Sequence, residues 1–567
     1  MDDISQKFDF IVVGGVATGP KAAATLARRF PDAGIILFQN EEYLSYASCG
    51  LSYFASGDID SFEELIRTPH GVIRDSEFFE KSKGFKAVTG AEVIDIDRGQ
   101  KTVDVRYSAT GNVVRYEYGK LILATGATGR EPGFPVVKSP RVSSFRKPAD
   151  AAVFRKSAEA GQIDKAIIVG GGFIGCELAE ATGGLWGIDT VLIERENQVL
   201  PGLLDGEMAA IVQKHMTDRG VKVVTAARPE KIDLDDNDHP MVWLESKEKI
   251  GGDYVFLCLG CHPETSLAER CGLDRGETGG ILVDEYQCTS DPDIYAGGDC
   301  VEQTARITGR KIHMPMGSLA NRHGRFIAEN LAGNSCEFPG ILGTFLLKVF
   351  DINVGAVGLT ARSAREVGIK VAEIWGTFPD KPDYIPEVRT VTLKMIYDSD
   401  DGRLLGLQAV GQADVCRFVD VFSCFMQNSA VIDDLFDFEH GYAPPYSEPM
   451  HPFHHMASMA KAKQKGMDFL SPGIDLATQN GGAVILDMRE EEESSDNPLC
   501  SIFPGLNLKT MNIPLNDLTS RIGELDRGSR HIVVCKRGSR SYQAAVILKS
   551  RGFTDIGVLG GGLIARG

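Results

Sequence analysis

One order of features occurs twice along this chain and narrows its fold more than any other: a short apolar strand, a glycine turn, a helix and a second strand. The first copy runs from the strand Phe8–Val13 through Gly14-Gly15-Val16-Ala17-Thr18-Gly19 into a helix from Pro20 to Phe30 and the strand Ile35–Phe38. The second runs from Ala166–Val169 through Gly170-Gly171-Gly172-Phe173-Ile174-Gly175 into a helix reaching Gly184 and the strand Thr190–Ile193. In that context a glycine turn brings N–H groups at a helix start against a pyrophosphate. Gly14, Val16 and Gly19 are the motif positions of the first turn; Gly170, Gly172 and Gly175 are those of the second. The copies differ at two places. Val16 stands at the first turn's second glycine, and Gln39 stands where an acid usually meets a ribose, although its amide oxygen still accepts a hydrogen bond. The second turn keeps its three glycines and ends its strand on Glu194, which favours the free ribose hydroxyl of NADH. Arg195 beside it is placed to meet a 2′-phosphate, which leaves NADPH as the alternative.

The strand Tyr254–Cys258 and the turn Gly260–Thr265 return the chain to the first fold, so one nucleotide fold is inserted in the other. At 567 residues the chain is too long for one core, and roughly three to five domains are expected. A formal charge of −18 argues against nucleic acid or an anionic membrane as partner. No apolar run approaches the roughly 20 residues of a membrane span, and the start Met1-Asp2-Asp3-Ile4 is acidic, with no secretory signal visible. The twelve cysteines show neither a disulfide framework nor zinc spacing, so no metal is expected and a reducing cytoplasm fits best. Cys258-Leu-Gly-Cys261 reads as packed thiols where a strand meets a glycine turn.

Two further strands end on polar groups: Tyr118–Ala127, carrying Thr125-Gly126, and Thr289–Asp299. Together with the first turn they resemble the FAD signature of the pyridine nucleotide-disulfide oxidoreductases, flavoproteins with two dinucleotide folds. The resemblance implies FAD, with Asp299 at its ribityl chain and Thr125-Gly126 at the crossover between folds. It also places Glu177 near the nicotinamide and implies hydride transfer from NAD(P)H to FAD.

Between these pieces lies Ser45-Tyr46-Ala47-Ser48-Cys49-Gly50-Leu51-Ser52-Tyr53. Cys49 has no second cysteine nearby, so a redox role would have to be that of a single sulfur. The stretch resembles the single-cysteine motif of coenzyme A disulfide reductases and NADH-dependent persulfide reductases, a subgroup that also holds NADH oxidases and peroxidases. By that resemblance Cys49 sits near the flavin at a helix start, which favours a thiolate able to attack a disulfide or persulfide. The motif departs from the subgroup at Tyr46, Ser48 and Ser52, and Thr25 replaces a Gln in the first helix. Ser48 and Arg28 are the substrate-side positions, and CoA as a bound thiol or carrier stays open.

The segment Met314–Arg325 opens a helix resembling the family's flavin-side segment, and strands at Leu342–Phe350 and Val388–Tyr397 resemble its dimerisation domain. Two aromatic pieces, Asp383-Tyr384-Ile385-Pro386 and Gly441-Tyr442-Ala443-Pro444-Pro445-Tyr446, match the segments that face a partner's cysteine. Tyr384 and Tyr442, with Tyr446 as alternative to the latter, are the implied hydroxyl donors of a homodimer. His451-Pro452-Phe453-His454-His455 reads as interface histidines. Beyond a linker containing Lys461–Gly466 and Ser471–Gly473, the strand Ala483–Asp487 and the strand His531–Val534 frame a small α/β unit. The second strand runs into Cys535-Lys536-Arg537-Gly538-Ser539-Arg540-Ser541, a short anion-cradling loop before a helix. It resembles the rhodanese domain, as does Leu486-Asp487-Met488-Arg489, and the resemblance makes Cys535 a sulfane-sulfur carrier with Lys536, Arg537 and Arg540 around it.

The expected fold is therefore α/β throughout: two Rossmann-like domains, an α+β dimerisation domain and a rhodanese domain. The expected boundaries are 1–150 with 261–335 for FAD, 151–260 for NAD(P)H, 336–458 for dimerisation, 459–472 for the linker and 473–567 for the rhodanese. The expected activity is reduction of persulfide, polysulfide or CoA-disulfide-type substrates through Cys49, with Cys535 carrying sulfur. The alternatives are an NADH oxidase or peroxidase with a Cys49 sulfenic acid, and a non-catalytic redox-sensing subunit.

Overall fold

A computed structural model describes residues 6–474, 476, 482–503, 505 and 508–566, so the acidic start Met1–Ile4 lies outside the described residues. The chain forms two compact units. The first comprises Met1–Gly170, Ala181–Asp189 and Pro229–Ile341, and the second Gly171–Glu180, Thr190–Arg228 and Leu342–Gly567.

The first unit is built on a seven-stranded sheet. Its order is Lys86–Val88, Ile35–Phe38, Gln6–Val13, Val113–Leu123, Thr102–Tyr107 and Ala91–Asp97, with Ile294–Ala296 also paired to Val113–Leu123. Gln6–Val13 is parallel to both of its neighbours. Parallel strands are covered on both faces, which is why Phe10–Val13 and Ile35–Phe38 are apolar without alternation. Alternate residues go to opposite cores. Ile11, Val13, Ile36 and Phe38 join one cluster; Phe10, Val12, Ile35 and Leu37 join another, against Ala22, Ala23 and Leu26 of the first helix. That helix, Thr18–Arg29, lies on Gly317–Leu331: Thr18 Oγ1 donates to the Ala320 carbonyl at 2.9 Å, and a Cβ at Gly324 would strike the Thr18 carbonyl. Lys165–Val169 runs parallel to Tyr254–Leu257, which pairs with Val142–Ser143.

In the second unit, residues 191–193 run parallel to Lys222–Val224. An antiparallel sheet follows in the order Phe345–Val349, Ile352–Gly358, Leu404–Gly411, Thr390–Asp398, Val371–Pro379. Lys394 on this sheet is 1% exposed and meets Asp205 at 2.8 Å, Glu207 at 2.5 Å and Glu373 at 2.7 Å. Burial alone would lower the Lys394 ammonium, but the three carboxylates reverse the sign and hold it above its usual value.

The C-terminal sheet is parallel, in the order Asp468–Leu470, Ile556–Leu559, His531–Val534, Val484–Asp487, Lys509–Asn512. The stretch expected as a linker is ordered structure instead. Lys461–Gln464 completes the helix Pro452–Gln464, and Asp468–Leu470 is the edge strand of this sheet. Three strand residues are too few to show a period of two in the sequence. His451 and His454 also have a local task. The His451 ring accepts from Phe453 N–H at 3.2 Å and the His454 ring from His451 N–H at 3.2 Å, so both cap this helix. Burial, with Arg417 and the neighbouring histidines, takes the His451 imidazole down to about 3.

Candidate active sites: two nucleotide turns and two cysteines

The two glycine turns are close copies in backbone geometry. Gly14 has φ +110° and Gly170 φ +111°. A Cβ at Gly14 would collide with the Ala124 carbonyl, and one at Gly170 with the Cys258 carbonyl, so each turn closes over the end of its neighbouring strand. A Cβ at Gly19 would collide in turn with the Gly14 carbonyl. Gln39, 4% exposed, accepts from the Gly15 N–H at 2.8 Å through its amide oxygen. Glu194, 5% exposed, does the same for Gly171 N–H at 2.7 Å and takes Glu196 N–H at 2.8 Å on its other oxygen. A neutral amide and a carboxylate thus brace equivalent turns. Among the described residues, and apart from the adjoining ones, no heavy atom lies within 4 Å of a Cβ placed on Gly126 or Gly172, so the backbone is approachable there. Gly175 and Glu177 lie on the helix Phe173–Ala179 that follows the second turn.

Thr125 fixes the crossover. Its hydroxyl donates to the Glu264 carbonyl at 2.6 Å, Glu264 N–H bonds Gly126 at 2.9 Å, and Ala127–Gly129 pairs with Cys261–Pro263. At this crossover burial pushes the Cys261 thiol up. Asp299 is half-buried and its carboxyl is raised, chiefly by burial. His313, Arg146 and the Met316 backbone pull the carboxyl the other way, and the Asp299 carbonyl meets His313 Nε2 at 2.9 Å.

Cys49 lies in the 3₁₀ turn Ser48–Gly50 that leads into the short helix Leu51–Ser56. Its loop is tied to the first glycine turn, because Ser45 N–H donates to the Gly15 carbonyl at 2.7 Å. A second helix start lies at the sulfur: a Cβ on Gly317, the first residue of the 15-residue helix Gly317–Leu331, would sit 3.7 Å from Cys49 Sγ. The same helix start takes the Asp299 carboxylate at Met316, so Asp299 and Cys49 share one positive helix end. Tyr46 packs inward, and burial, with Glu41 nearby, pushes its phenol up to about 12. Ser52 is buried, whereas Ser48 is exposed. Arg28 is exposed and donates to Thr25 Oγ1 at 3.0 Å, so the Thr found in place of Gln orients this guanidinium.

One residue on this helix was not singled out from the sequence. His323 is fully buried, accepts the Gly298 N–H on Nδ1 at 3.0 Å, and is held down to about 3 by burial and Arg322. It therefore positions the turn carrying Asp299 as a neutral ring. A lone histidine on an apolar helix face gives no such signal in a sequence.

Cys535 is fully buried at the end of His531–Val534, and its Sγ accepts from the Gly538 N–H at 3.1 Å and the Ser541 N–H at 3.3 Å. The loop is braced from behind. Leu563 N–H bonds the Cys535 carbonyl at 2.9 Å and Ile564 N–H bonds the Lys536 carbonyl at 3.1 Å, while a Cβ at Gly562 would strike Gly538 N. Two of the loop's three cations have carboxylate partners: Arg540 bonds Glu493 at 2.5 and 2.9 Å, and Arg537 reaches Asp383 at 3.2 Å. Arg540's hydrogen bond holds Glu493 down at about 2. Arg489, 3% exposed, bonds Asp487 at 2.7 Å and the Asn497 carbonyl at 2.8 Å, and Ser494 Oγ bonds Asp487 at 2.9 Å. The Asp487–Arg489 pair thus pins the acidic segment that reaches Arg540.

Tyr384 and Tyr442 belong to the same unit, and slight burial and then the neighbouring Tyr442 side chain raise the Tyr384 phenol. Tyr446 is 73% exposed, and its carbonyl accepts from Arg417 at 2.9 Å.

Comparison with known proteins matches the pyridine nucleotide-disulphide oxidoreductase family over residues 8–316, its dimerisation domain over 345–453 and the rhodanese-like domain over 475–565. The NAD(P)H coenzyme A polysulfide/persulfide reductase of Pyrococcus horikoshii is 30% identical over 465 residues, 81% of this chain and 99% of that protein. Among solved structures, an NAD-dependent persulfide reductase from A. fulgidus superposes with a TM-score of 0.91 at 35% identity, covering 98% of this chain and 99% of that one. The reduced CoADR-RHD of Bacillus anthracis superposes at 0.88 with 31% identity, covering 99% and 98%. By these matches the chain belongs to the pyridine nucleotide-disulphide oxidoreductase family and carries a rhodanese-like domain.

Proposed function

We propose that this chain is an NAD(P)H-dependent reductase of persulfide, polysulfide or CoA-disulfide-type substrates. The observation that carries the reading is the Ser45–Gly15 hydrogen bond, which joins the Cys49 loop to the nucleotide turn. The two turns fit FAD and NAD(P)H, because each closes over a strand end where a Cβ would collide and each is held by a buried acceptor, Gln39 or Glu194. Gly14, Val16, Gly19, Gln39, Thr125, Gly126 and Asp299 are assigned to FAD; Gly170, Gly172, Gly175, Glu177 and Glu194 are assigned to NAD(P)H. Glu194 favours NADH. When bound, the two cofactors supply a two-electron path from the nicotinamide toward a sulfur.

The protein's own part is to hold and protonate sulfur. With a persulfide RSSH, Cys49 thiolate attacks the outer sulfur, RS⁻ leaves and takes a proton, and the extra sulfur stays on Cys49. The net reaction is RSSH + NADH + H⁺ → RSH + H₂S + NAD⁺. The start of the helix Gly317–Leu331 favours the anionic form of Cys49. In a homodimer Tyr384 and Tyr442, or Tyr446, donate to the reacting sulfur of the partner subunit. Cys535 accepts a sulfane sulfur within its backbone cradle, with Arg540 and Lys536 at its rim. Arg28 and Ser48 are assigned to the substrate side, where a CoA nucleotide is one thiol carrier they suit. A reducing compartment is the setting that suits this sulfur chemistry.

The test is anaerobic NADH consumption with CoA persulfide, glutathione persulfide, polysulfide and CoA disulfide, with sulfide assayed alongside. Turnover with at least one of these supports the reading, and sulfide release accompanies it for the persulfides and polysulfide. No turnover with any of them, together with rapid NADH oxidation once air is admitted, overturns it in favour of an oxidase.

A further inference from the structure

The hairpin formed by Val371–Pro379 and Thr390–Asp398 carries Tyr384 at its tip. The tip is closed at its base, where Asp380 N–H bonds the Arg389 carbonyl at 2.8 Å and Arg389 N–H bonds Asp380 Oδ1 at 2.9 Å. The Cys535 region grips this hairpin twice. On the strand, Thr377 Oγ1 donates to the Gly561 carbonyl at 2.7 Å and Gly561 N–H donates to the Trp375 carbonyl at 3.1 Å. Gly561 belongs to the turn whose next residues bond the Cys535 and Lys536 carbonyls. At the tip, Arg537 of the Cys535 loop spans Asp383 with both terminal nitrogens, at 3.2 to 3.3 Å. Asp383 is the residue before Tyr384.

The strand contact is buried and fixes the hairpin, whereas the Arg537–Asp383 pair is solvent-facing, with side chains 26% and 69% exposed. A pair of that kind adds little stability. It sits at one end of a polar row running from Arg537 through Asp383 to Tyr384, with Tyr442 and the Glu448 carboxylate near by.

We propose that Arg537 is a positioning residue for the tyrosine pair, so that the loop presenting Cys535 also sets where Tyr384 stands. The inference rests on the reading of Tyr384 and Tyr442 as hydroxyl donors in sulfur reduction. It gives the C-terminal domain a second task beside carrying sulfur: shaping the segment that serves the reductase chemistry.

Hydrogen exchange and steady-state kinetics on the full-length holoenzyme test it, with inorganic polysulfide as acceptor. Arg537→Gln and Asp383→Asn are each expected to speed amide exchange over residues 383–387 and to lower kcat by about two- to fivefold with KM little changed. The charge-exchanged pair Arg537→Asp with Asp383→Arg is expected to restore both. Unchanged exchange and unchanged kcat in Arg537→Gln would overturn the inference. Faster exchange in Arg537→Gln together with full activity in Tyr384→Phe would support the positioning role while overturning the tyrosines as donors.

Discussion

Cys49 and Cys535 both stand where the chain enters a helix, but the protein treats their sulfurs differently. The sequence around Cys49, from Tyr46 to Leu51, has no charged side chain. Its electrostatic help comes from the end of the 15-residue helix Gly317–Leu331, a distant part of the chain. Cys535 is enclosed by its own loop, with two N–H donors on Sγ and three cations within five residues. Two of those cations are already matched by Asp383 and Glu493. One sulfur lies in a loop bonded to the first glycine turn, and the other is enclosed by backbone N–H donors of its own braced loop. A helix start favours a sulfur anion in either case, and the groups around each sulfur set the two environments apart.

The contrast can be broken most severely at Cys49 itself. Cys49→Ser is expected to cut anaerobic NADH oxidation by persulfide at least about a thousandfold, as removal of a nucleophile does elsewhere. Stopped-flow absorbance of NADH measures this. Next in size is Arg489→Ala, which leaves Asp487 buried without its ion partner. A loss of about 3–5 kcal/mol is expected in the C-terminal domain, read by urea denaturation followed through exchange of the 531–534 amides. Gly538→Ala asks for a side chain at φ +90° against Gly562 N, and should cost about 1–2 kcal/mol at the Cys535 loop alone. Gly317→Ala adds a methyl at ordinary contact distance from Cys49 Sγ. Only a change of about two- to threefold in reductase turnover is expected, since the backbone there needs no glycine conformation.

Acidity separates the sites as well. Glu493 is lowered from 4.5 to about 2 by its bond from Arg540. A depressed carboxyl contributes stability that is complete above its unfolded value and is lost as the pH falls toward the folded one. Loosening of the Cys535 loop is therefore expected between about pH 4.5 and 2, and Glu493→Gln should remove that dependence. Hydrogen exchange of the Gly538 and Ser541 amides measures both.

Much of this arrangement was legible in the residues. The glycine turns, the strands around them and the Cys535 loop are local patterns, and local patterns survive in a one-dimensional reading. Gln39 marks the limit of such a reading: its amide oxygen is an acceptor by type, but its partner Gly15 N–H appears only in the structure. The rest depends on contacts between distant segments. Gly317 beside Cys49, His323 beneath Gly298, and Asp383 against Arg537 are each single residues whose partners lie far along the chain. Within the expected linker 459–472, the helix end Lys461–Gln464 and the strand Asp468–Leu470 are hard to read in advance, because lysine-rich helix ends and three-residue strands resemble loops in composition.

Peptide mass spectrometry after a single anaerobic exposure to glutathione persulfide asks whether both cysteines handle sulfur. An added sulfur is expected on the Cys49 and Cys535 peptides, with that on Cys49 discharged as sulfide when NADH is supplied. Added sulfur on neither peptide, with Cys49 becoming a sulfenic acid only in air, would contradict it.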